Sequence, residues 1–374
     1  GSIAATFYGK PSQKLQVIAV TGTNGKTSFT HFLAQALNAT GERCGVMGTM
    51  GYGAPGSLTP LPLTTPNAIS VQKILAELSD SGCTSVALEA SSHGLAQGRL
   101  NGVSIDVAVL TNLTRDHLDY HASQAEYEQA KSQLFNFPSL THRVLNIDDD
   151  FGAKLAADYE DAVTYGADNH NAQVRSMEPK FTEAGIAFSL ALQGQKLSLT
   201  TALLGEFNLL NLLAVAATLQ ALGRKHEQIT AGLAALSSVP GRMELTHNKN
   251  LPTVVIDYAH TPDALRQCLA AIARHFPGRP VTCVFGCGGD RDPGKRPLMG
   301  QIAEQHASRV VLTSDNPRTE PPEQIIDDIA RGMATRPVRI VDRALAIAAA
   351  IREAGPKGLV LVAGKGHEDY QVVG

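Results

Sequence analysis

Leu15-Gln-Val-Ile-Ala-Val-Thr-Gly-Thr-Asn-Gly-Lys-Thr27 is a short apolar run that gives way to a glycine loop and ends in Lys26 and Thr27. Ser-Phe-Thr-His-Phe-Leu-Ala-Gln-Ala-Leu follows, with apolar residues at helical spacing. Strand, glycine loop and helix in that order are the setting a phosphate-binding loop requires. Gly22 and Gly25 permit a tight turn whose N–H groups point inward at phosphate oxygens, and the helix adds its positive end. Lys26 can reach the outer phosphates, and the Thr27 hydroxyl can ligate Mg²⁺. The common pattern places glycine at position 20, where this chain has Val20. The plain alternative is a glycine turn between an ordinary strand and helix.

The 374 residues suffice for two domains with large cores. Hydrophobic content of 43% and charged content of 18% are those of an ordinary globular chain. A net charge of −3 gives no general attraction to nucleic acid, and no nucleic-acid partner is expected. No apolar run reaches membrane-spanning length and no signal-peptide pattern is present, so neither membrane insertion nor export is expected. Cys44, Cys83, Cys268, Cys283 and Cys287 are odd in number and scattered, which points to reduced thiols in a cytoplasm. Gly1-Ser2 reads as a cloning scar, and residues 1–14 as an irregular lead-in.

Strands and helices alternate through the first half. Strands are expected at 43–47, 85–88, 107–110 and 143–146, with helices from Thr65-Pro66 to about residue 78, over 123–135 and over 150–158. The Gly-, Pro- and Thr-rich segment 48–66 reads as a loop. This alternation predicts an α/β fold, a doubly wound, mostly parallel sheet with its site at the strand C-terminal ends. Segments 174–177, 186–192 and 197–203 alternate in polarity and predict a small antiparallel patch, followed by helices over 207–222 and 226–236. Val239-Pro-Gly-Arg242 reads as a linker. Beyond it βα alternation restarts, predicting a smaller Rossmann-like α/β domain. The expected domains are 15–240 and 241–374.

Polar clusters fall at the predicted strand ends. Glu89-Ala-Ser-Ser-His93 ends one strand and Thr111-Asn-Leu-Thr-Arg-Asp-His-Leu-Asp119 follows another. Thr27, Glu89 and His117 can converge on Mg²⁺, for which oxygen ligands are usual and histidine less so. Taken singly, Glu89 reads as well as a solvated strand-end carboxylate, and His117 as a turn residue. In the second domain Asp257-Tyr-Ala-His-Thr-Pro262, Gly286-Cys-Gly-Gly-Asp-Arg-Asp-Pro-Gly-Lys-Arg296, Asp315-Asn-Pro-Arg-Thr-Glu320 and Gly364-Lys-Gly-His-Glu368 end four strands. A purely structural domain needs no such concentration of charge on one edge.

Together, Thr21-Gly-Thr-Asn-Gly-Lys-Thr27, Leu88-Glu-Ala-Ser-Ser-His-Gly94, Asn112-Leu-Thr-Arg-Asp-His-Leu-Asp119, Asp257-Tyr-Ala-His-Thr-Pro262 and Asp315-Asn-Pro-Arg318 resemble the Mur ligase family, in order and along essentially the whole chain. The resemblance implies ATP-driven amide synthesis in bacterial peptidoglycan formation, in the cytoplasm, by a monomer. The γ-phosphate of ATP would pass to the D-glutamyl carboxylate of a UDP-muramoyl dipeptide, and an amine of meso-diaminopimelate would attack the acyl phosphate. It also implies a uridine-binding domain that the short lead-in leaves no room for. Family members usually continue past Val373-Gly374, so a truncated chain is expected, with its turnover in doubt.

Residue by residue, the resemblance implies that Gly22, Thr23, Asn24, Gly25, Lys26, Thr27, Asn208, Arg242, Asp257, His260 and Lys295 contact ATP. Thr27, Glu89, His117 and Lys131 would hold Mg²⁺, Lys131 as a CO2-derived carbamate, and Lys26, Lys131, His117 and Glu89 would be catalytic. Read without the family, Lys131 is a helix lysine facing Glu128, and Asn208 a helix N-cap. Thr64, Thr65, Ser91, Gln97 and Arg99 would hold the muramoyl dipeptide. Arg291, Asp315, Asn316, Arg318, Gly364 and Glu368 would hold diaminopimelate, with Arg318 taking the distal carboxylate that distinguishes it from lysine. A folylpolyglutamate synthetase-like ligase is the rival in the same fold. Asp315–Arg318 and Glu89–His93 speak against it. A catalytically silent nucleotide-binding module is the rival of another class.

Overall fold

Gln16–Thr21 (β1) is buried over its last five residues and pairs in parallel with a strand on each side. An apolar run covered on both faces is what a central parallel strand requires. The computed structural model describes residues 1–114, 116 and 120–374. These divide into two compact units, one comprising Gly1–Lys180, Ile186–Thr201 and Phe207–Ser237, the other Phe181–Gly185, Ala202–Glu206 and Ser238–Gly374.

In chain order the first strands are β1, β2 (Cys44–Gly48), β3 (Gly51–Ala54), β4 (Ser57–Thr59), β5 (Ser85–Glu89), β6 (Val107–Leu110), β7 (His142–Asn146), β8 (Val163–Gly166), β9 (Val174–Thr182), β10 (Gly185–Leu192) and β11 (Gln195–Thr201). Among the described residues they form one sheet of order β11-β10-β9-β8-β7-β6-β1-β5-β2-β3-β4. Pairing is parallel from β2 to β9, and antiparallel in β2–β3, β3–β4 and β10–β11. The helices are α1 (Ser2–Phe7), α2 (Lys26–Ala39), α3 (Ala68–Asp80), α4 (Ser92–Ala96), α5 (Gln124–Ser132), α6 (Asp150–Asp158), α7 (Glu206–Ala221) and α8 (His226–Ala234).

The remaining elements alternate: β12 (Glu244–Thr246), β13 (Thr253–Asp257), α9 (Pro262–His275), β14 (Val281–Phe285), α10 (Lys295–His306), β15 (Arg309–Leu312), α11 (Pro322–Ala330), β16 (Val338–Arg339), α12 (Arg343–Ala354) and β17 (Leu359–Ala363). They build a second, smaller sheet of order β12-β13-β17-β14-β15-β16, parallel except at β12. The expected α/β class, with a large mostly parallel sheet, an antiparallel patch and a smaller α/β sheet, is the observed one.

The differences are local and have physical reasons. The lead-in is not irregular: it forms α1 and a 3-10 turn at Pro11–Gln13, with Ala5 buried. Segment 48–66 is not all loop, because β3 and β4 form a hairpin there. Gly51 and Gly53, at φ +121° and +138°, allow an approach in which a Cβ would lie 2.3 Å from Thr59 O and 2.6 Å from Ser57 O. Helix α3 starts after Asn67 rather than at Thr65-Pro66. The Asn67 Oδ1 accepts from Ile69 N and Ser70 N at 3.1 and 3.0 Å, while the Thr65 hydroxyl is taken by the neighbouring strand end. Strand β12 and helix α4 are too short to register in the sequence pattern, and β8, only half buried, lacks the apolar run that marks β6.

Candidate active site

The loop between β1 and α2 is braced by side chains from far along the chain. Gly22 has φ +150°, and a Cβ there would lie 1.9 Å from Thr111 Oγ1. Gly25 has φ +87°, and a Cβ would meet Asn211 Oδ1 on α7 at 2.6 Å. Only glycine serves at such positions. Thr23 N donates to Asn112 O at 2.9 Å and Asn24 N to Asn112 Oδ1 at 2.9 Å. The Thr23 hydroxyl donates to Thr114 O at 3.1 Å and lies 3.0 Å from Tyr127 OH. The Lys26 ammonium donates to Gly22 O and Thr23 O at 2.8 and 2.9 Å. Asn208 is the third residue of α7, not an N-cap, and its Oδ1 accepts from Asn211 Nδ2 at 3.1 Å.

Lys131 lies near the end of α5, only 1% exposed. Its ammonium donates to Gly22 O at 2.8 Å and sits 4.4 Å from the Tyr127 ring centroid. Burial lowers its pKa well below the usual lysine value, the nearby Lys26 charge adds to that, and Asp116 opposes it.

Glu89, at the end of β5, is buried. Its Oε1 accepts from the Thr27 hydroxyl at 2.9 Å and from Thr49 N at 2.9 Å, and its Oε2 from the Thr49 hydroxyl at 3.1 Å. Gly48 makes room for the carboxylate, since a Cβ there would lie 2.2 Å from Glu89 Oε1. Two hard oxygen donors beside a phosphate-type loop fit Mg²⁺, which keeps waters and substrate oxygens for its remaining positions. Among the described residues no group of three or more His, Cys, Asp and Glu is arranged to hold a metal. His117 lies outside the described residues, as do Arg115, Leu118 and Asp119.

Thr64, Thr65, Ser91, Gln97 and Arg99 come together as one network. The Thr64 hydroxyl lies 3.0 Å from that of Thr49. The Thr65 hydroxyl donates to Glu89 O at 2.8 Å, lies 2.9 Å from Ser91 Oγ and accepts from Ser91 N. Arg99 Nη1 donates to Thr65 O at 2.7 Å, and its Nε and Nη2 donate to Gln97 Oε1 at 3.0 and 2.6 Å. Gln97 Nε2 reaches Tyr120 OH at 3.0 Å.

The second unit carries a separate set. Asp257 is buried and turned on its own backbone, accepting from Met243 N at 2.8 Å and Ala259 N at 2.7 Å. The Arg242 guanidinium lies 4.2 Å from the Tyr258 ring centroid, and the His260 ring packs edge-on against the same ring at 4.9 Å. Lys295 Nζ donates to His260 O at 2.8 Å. Arg242, Asp257, His260 and Lys295 therefore surround one loop.

Arg318 adopts φ +52°, and its Nη1 donates to Gly289 O at 2.7 Å. The exposed Arg291 borders the same glycine loop: a Cβ at Gly288 would lie 3.0 Å from Arg318 Nη1 and 3.6 Å from Arg291 Cγ. Gly364, at φ +109°, faces Asp315, whose Oδ2 a Cβ would meet at 2.8 Å. Asn316 Nδ2 donates to Glu368 Oε2 at 3.2 Å, and Tyr258 OH donates to Glu368 Oε1 at 3.2 Å. Burial would raise the Glu368 pKa, but Lys365, Asn316 and Tyr258 more than offset it and hold the carboxyl below its usual range. Burial also pushes Tyr258 up to about 12.

Sequence reasoning missed Thr49, Thr111, Asn211, Tyr127 and Tyr258 as parts of these clusters. Thr111 and Tyr258 were visible inside quoted motifs. Thr49, Asn211 and Tyr127 carried no local signal.

A family model described as Mur ligase middle domain matches residues 20–219, and one described as Mur ligase, glutamate ligase domain matches 241–366. The UDP-N-acetylmuramoyl-L-alanyl-D-glutamate–2,6-diaminopimelate ligase of Pseudomonas putida is 47% identical over 99% of this chain and 77% of its own length. The protein of the same name from Alkalilimnicola ehrlichii is 50% identical over all of this chain and 76% of its own length. A solved structure of a ligase with that name superposes with a TM-score of 0.74 at 40% identity, covering 99% of this chain and 78% of the other. A Mycobacterium tuberculosis folylpolyglutamate synthase gives a TM-score of 0.78 at 21% identity, covering 96% and 91%, a likeness of fold alone.

Proposed function

The chain belongs to the Mur ligase family, and from that premise we propose that it catalyses the ATP-dependent addition of meso-diaminopimelate to UDP-N-acetylmuramoyl-L-alanyl-D-glutamate. The observation that carries this reading is the set of relatives of that name, matched at 47% and 50% identity along essentially the entire chain. Among the described residues no helix is long and apolar enough to cross a membrane, and the reaction's substrates are small molecules. We place the reaction in the bacterial cytoplasm.

The chemistry runs in two steps. A γ-phosphoryl group moves from ATP to the D-glutamyl carboxylate, converting a poor electrophile into an acyl phosphate. A neutral amine of diaminopimelate then attacks the carbonyl carbon, the C–N bond forms, inorganic phosphate leaves and the amine proton passes to solvent. Loop N–H groups and Lys26 bind the phosphates and stabilise the charge that builds during transfer. Thr27 and Glu89 would hold Mg²⁺, which supplies charge neutralisation at the phosphate oxygens.

For Lys131 the family resemblance supplies the role, a CO2-derived carbamate, and its burial supports that reading. A lysine kept neutral is the form that reacts with CO2. Its nitrogen would bond to the CO2 carbon with release of a proton, leaving a carbamate anion beside the phosphate loop. Thr64, Thr65, Ser91, Gln97 and Arg99 would orient the dipeptide so that its carboxylate meets the γ-phosphate. Asn208, Arg242, Asp257, His260 and Lys295 would contact the nucleotide. Arg291, Asp315, Asn316, Gly364 and Glu368 would hold the amino acid, and Arg318 would pair with its distal carboxylate.

Calorimetric titration of meso-diaminopimelate against L-lysine, with Mg²⁺ and a non-hydrolysable ATP analogue present, tests the reading. Selective binding of diaminopimelate is expected. Preferential binding of lysine would overturn the role of Arg318 and the choice of substrate.

A further inference from the structure

The Lys365 side chain is only 7% exposed. Its ammonium donates to Asn316 Oδ1 at 3.0 Å and to Glu368 Oε2 at 2.8 Å. It therefore touches two groups assigned to the amino-acid site, from the protein side. The main-chain N–H of Val372 donates to the same Asn316 Oδ1 at 2.9 Å.

This pairing fixes a chemical orientation. An ammonium and a backbone N–H are both obligate donors. The end of the Asn316 amide facing them must be its oxygen, so its NH2 end faces Glu368. The site then offers an amide donor, suited to a substrate carboxylate, next to a carboxylate acceptor, suited to a substrate ammonium. A zwitterionic amino acid needs that alternation. Without the ammonium, one of the two obligate donors that set the amide would be gone, and Glu368 would lose its strongest partner.

We propose that Lys365 is the positioning residue of the amino-acid site, setting which end of the Asn316 amide meets the incoming amino acid and holding the Glu368 carboxylate beside it. The inference rests on the substrate reading given above. It also carries an electrostatic consequence. The charged and titratable groups facing Glu368 are Lys365 and His367 on its own loop, Tyr258 on the loop after β13, and Arg343 on α12. Arg343 is buried and donates to Ala363 O at 2.8 Å. With Lys365 removed, burial dominates and the Glu368 carboxyl titrates at higher pH.

The test is calorimetric binding of meso-diaminopimelate, with Mg²⁺ and a non-hydrolysable ATP analogue, to the wild-type chain and to K365M and K365R, repeated between about pH 8 and pH 5.5. Thermal melts and binding of the ATP analogue alone report folding. K365M should bind the amino acid at least about tenfold more weakly, the scale of a lost charge-assisted pair, with nucleotide affinity kept within about twofold. Its remaining affinity should fall further as pH is lowered, whereas wild type stays flat. K365R retains a charge and two donors and should stay flat, whatever its bulk does to affinity. K365M binding within about twofold of wild type, or K365M and wild type sharing one pH profile, overturns the proposal. A pH-dependent K365R overturns it too, and serves if K365M does not fold. If the wild-type chain binds no diaminopimelate, the substrate reading fails and this inference with it.

Discussion

The Lys131 ammonium lies 2.8 Å from the carbonyl oxygen of Gly22, with almost no solvent around it. Helix α5 thus delivers a buried amine to the phosphate-loop backbone. A buried lysine is unfavourable as a cation, so its pKa falls on folding.

This gives a signed pH dependence. Between the depressed native pKa and the ordinary value of about 10.4, the unfolded chain binds more protons than the native one. Stability contributed by this residue therefore rises with pH through that window, by about 1.4 kcal/mol per unit, and is lacking below it. Denaturant titrations of wild type and Lys131→Met across alkaline pH should differ by this slope. Equal slopes would mean that the lysine is not desolvated.

Lys131→Met should also abolish phosphoryl transfer, and Lys131→Ala should regain part of it with added short carboxylates. Incubation with ¹³C-bicarbonate should give a carbamate carbon signal in wild type that neither variant shows. A variant with wild-type turnover would remove the carbamate from the mechanism.

Gly25 and Gly41 form a matched pair, at φ +87° and +92°. Around Gly41 an added Cβ meets nothing within 4 Å, whereas at Gly25 it meets Asn211 Oδ1 at 2.6 Å. Gly41→Ala should cost only the backbone term, about 1–2 kcal/mol, and leave nucleotide binding unchanged. Gly25→Ala should cost more and abolish binding of an ATP analogue. Equal losses in the two melts would show that crowding against Asn211 does not matter.

Arg318→Ala should weaken meso-diaminopimelate binding by roughly 3–5 kcal/mol, upwards of about a hundredfold, with the ATP analogue bound as before. Arg318→Lys should recover little, because an ammonium lacks the fork that matches a carboxylate. Unchanged affinity by calorimetry would displace the distal carboxylate from this residue.

Arg296 is a stability site rather than a binding one. Its side chain is 2% exposed and pairs with Glu320 and Asp328, each at 2.8 Å. Arg296→Met strips Glu320 of its buried cation and leaves Asp328 with only the exposed Arg331, and should cost about 3–5 kcal/mol in a urea titration. The triple change that also makes Glu320→Gln and Asp328→Asn should recover much of it. A loss below about 1 kcal/mol in the single variant would contradict the pairing.

Apart from β8, the parallel strands were legible because their apolar runs are short, buried and bounded by glycine or polar clusters, as in Gln16–Thr21 and Leu359–Ala363. The hairpin at 51–59 was not, since glycine-rich strands carry little of the side-chain pattern that marks a sheet. Within the candidate site, Lys26 and Thr27 open the helix after the glycine loop and Glu89 ends a strand, places where local order betrayed them. Local order did not betray Asn211, because it stands against Gly25 from the middle of a buried helix, far along the chain. The Asn316 amide was recognised as a residue, but its orientation depends on Lys365 and on Val372, which no local pattern connects.

The place of β1 within its sheet has a consequence for biosynthesis. This strand is complete by residue 21, yet its neighbours β5 and β6 start at Ser85 and Val107. On the ribosome the phosphate loop leaves the exit tunnel before these neighbours are made and then waits for partners many codons away. Its last brace, Asn211, is translated later still. Nucleotide in the cell can therefore reward only a nearly finished first unit and cannot nurse the nascent chain toward it, so until then this apolar strand is a segment for chaperones to shield.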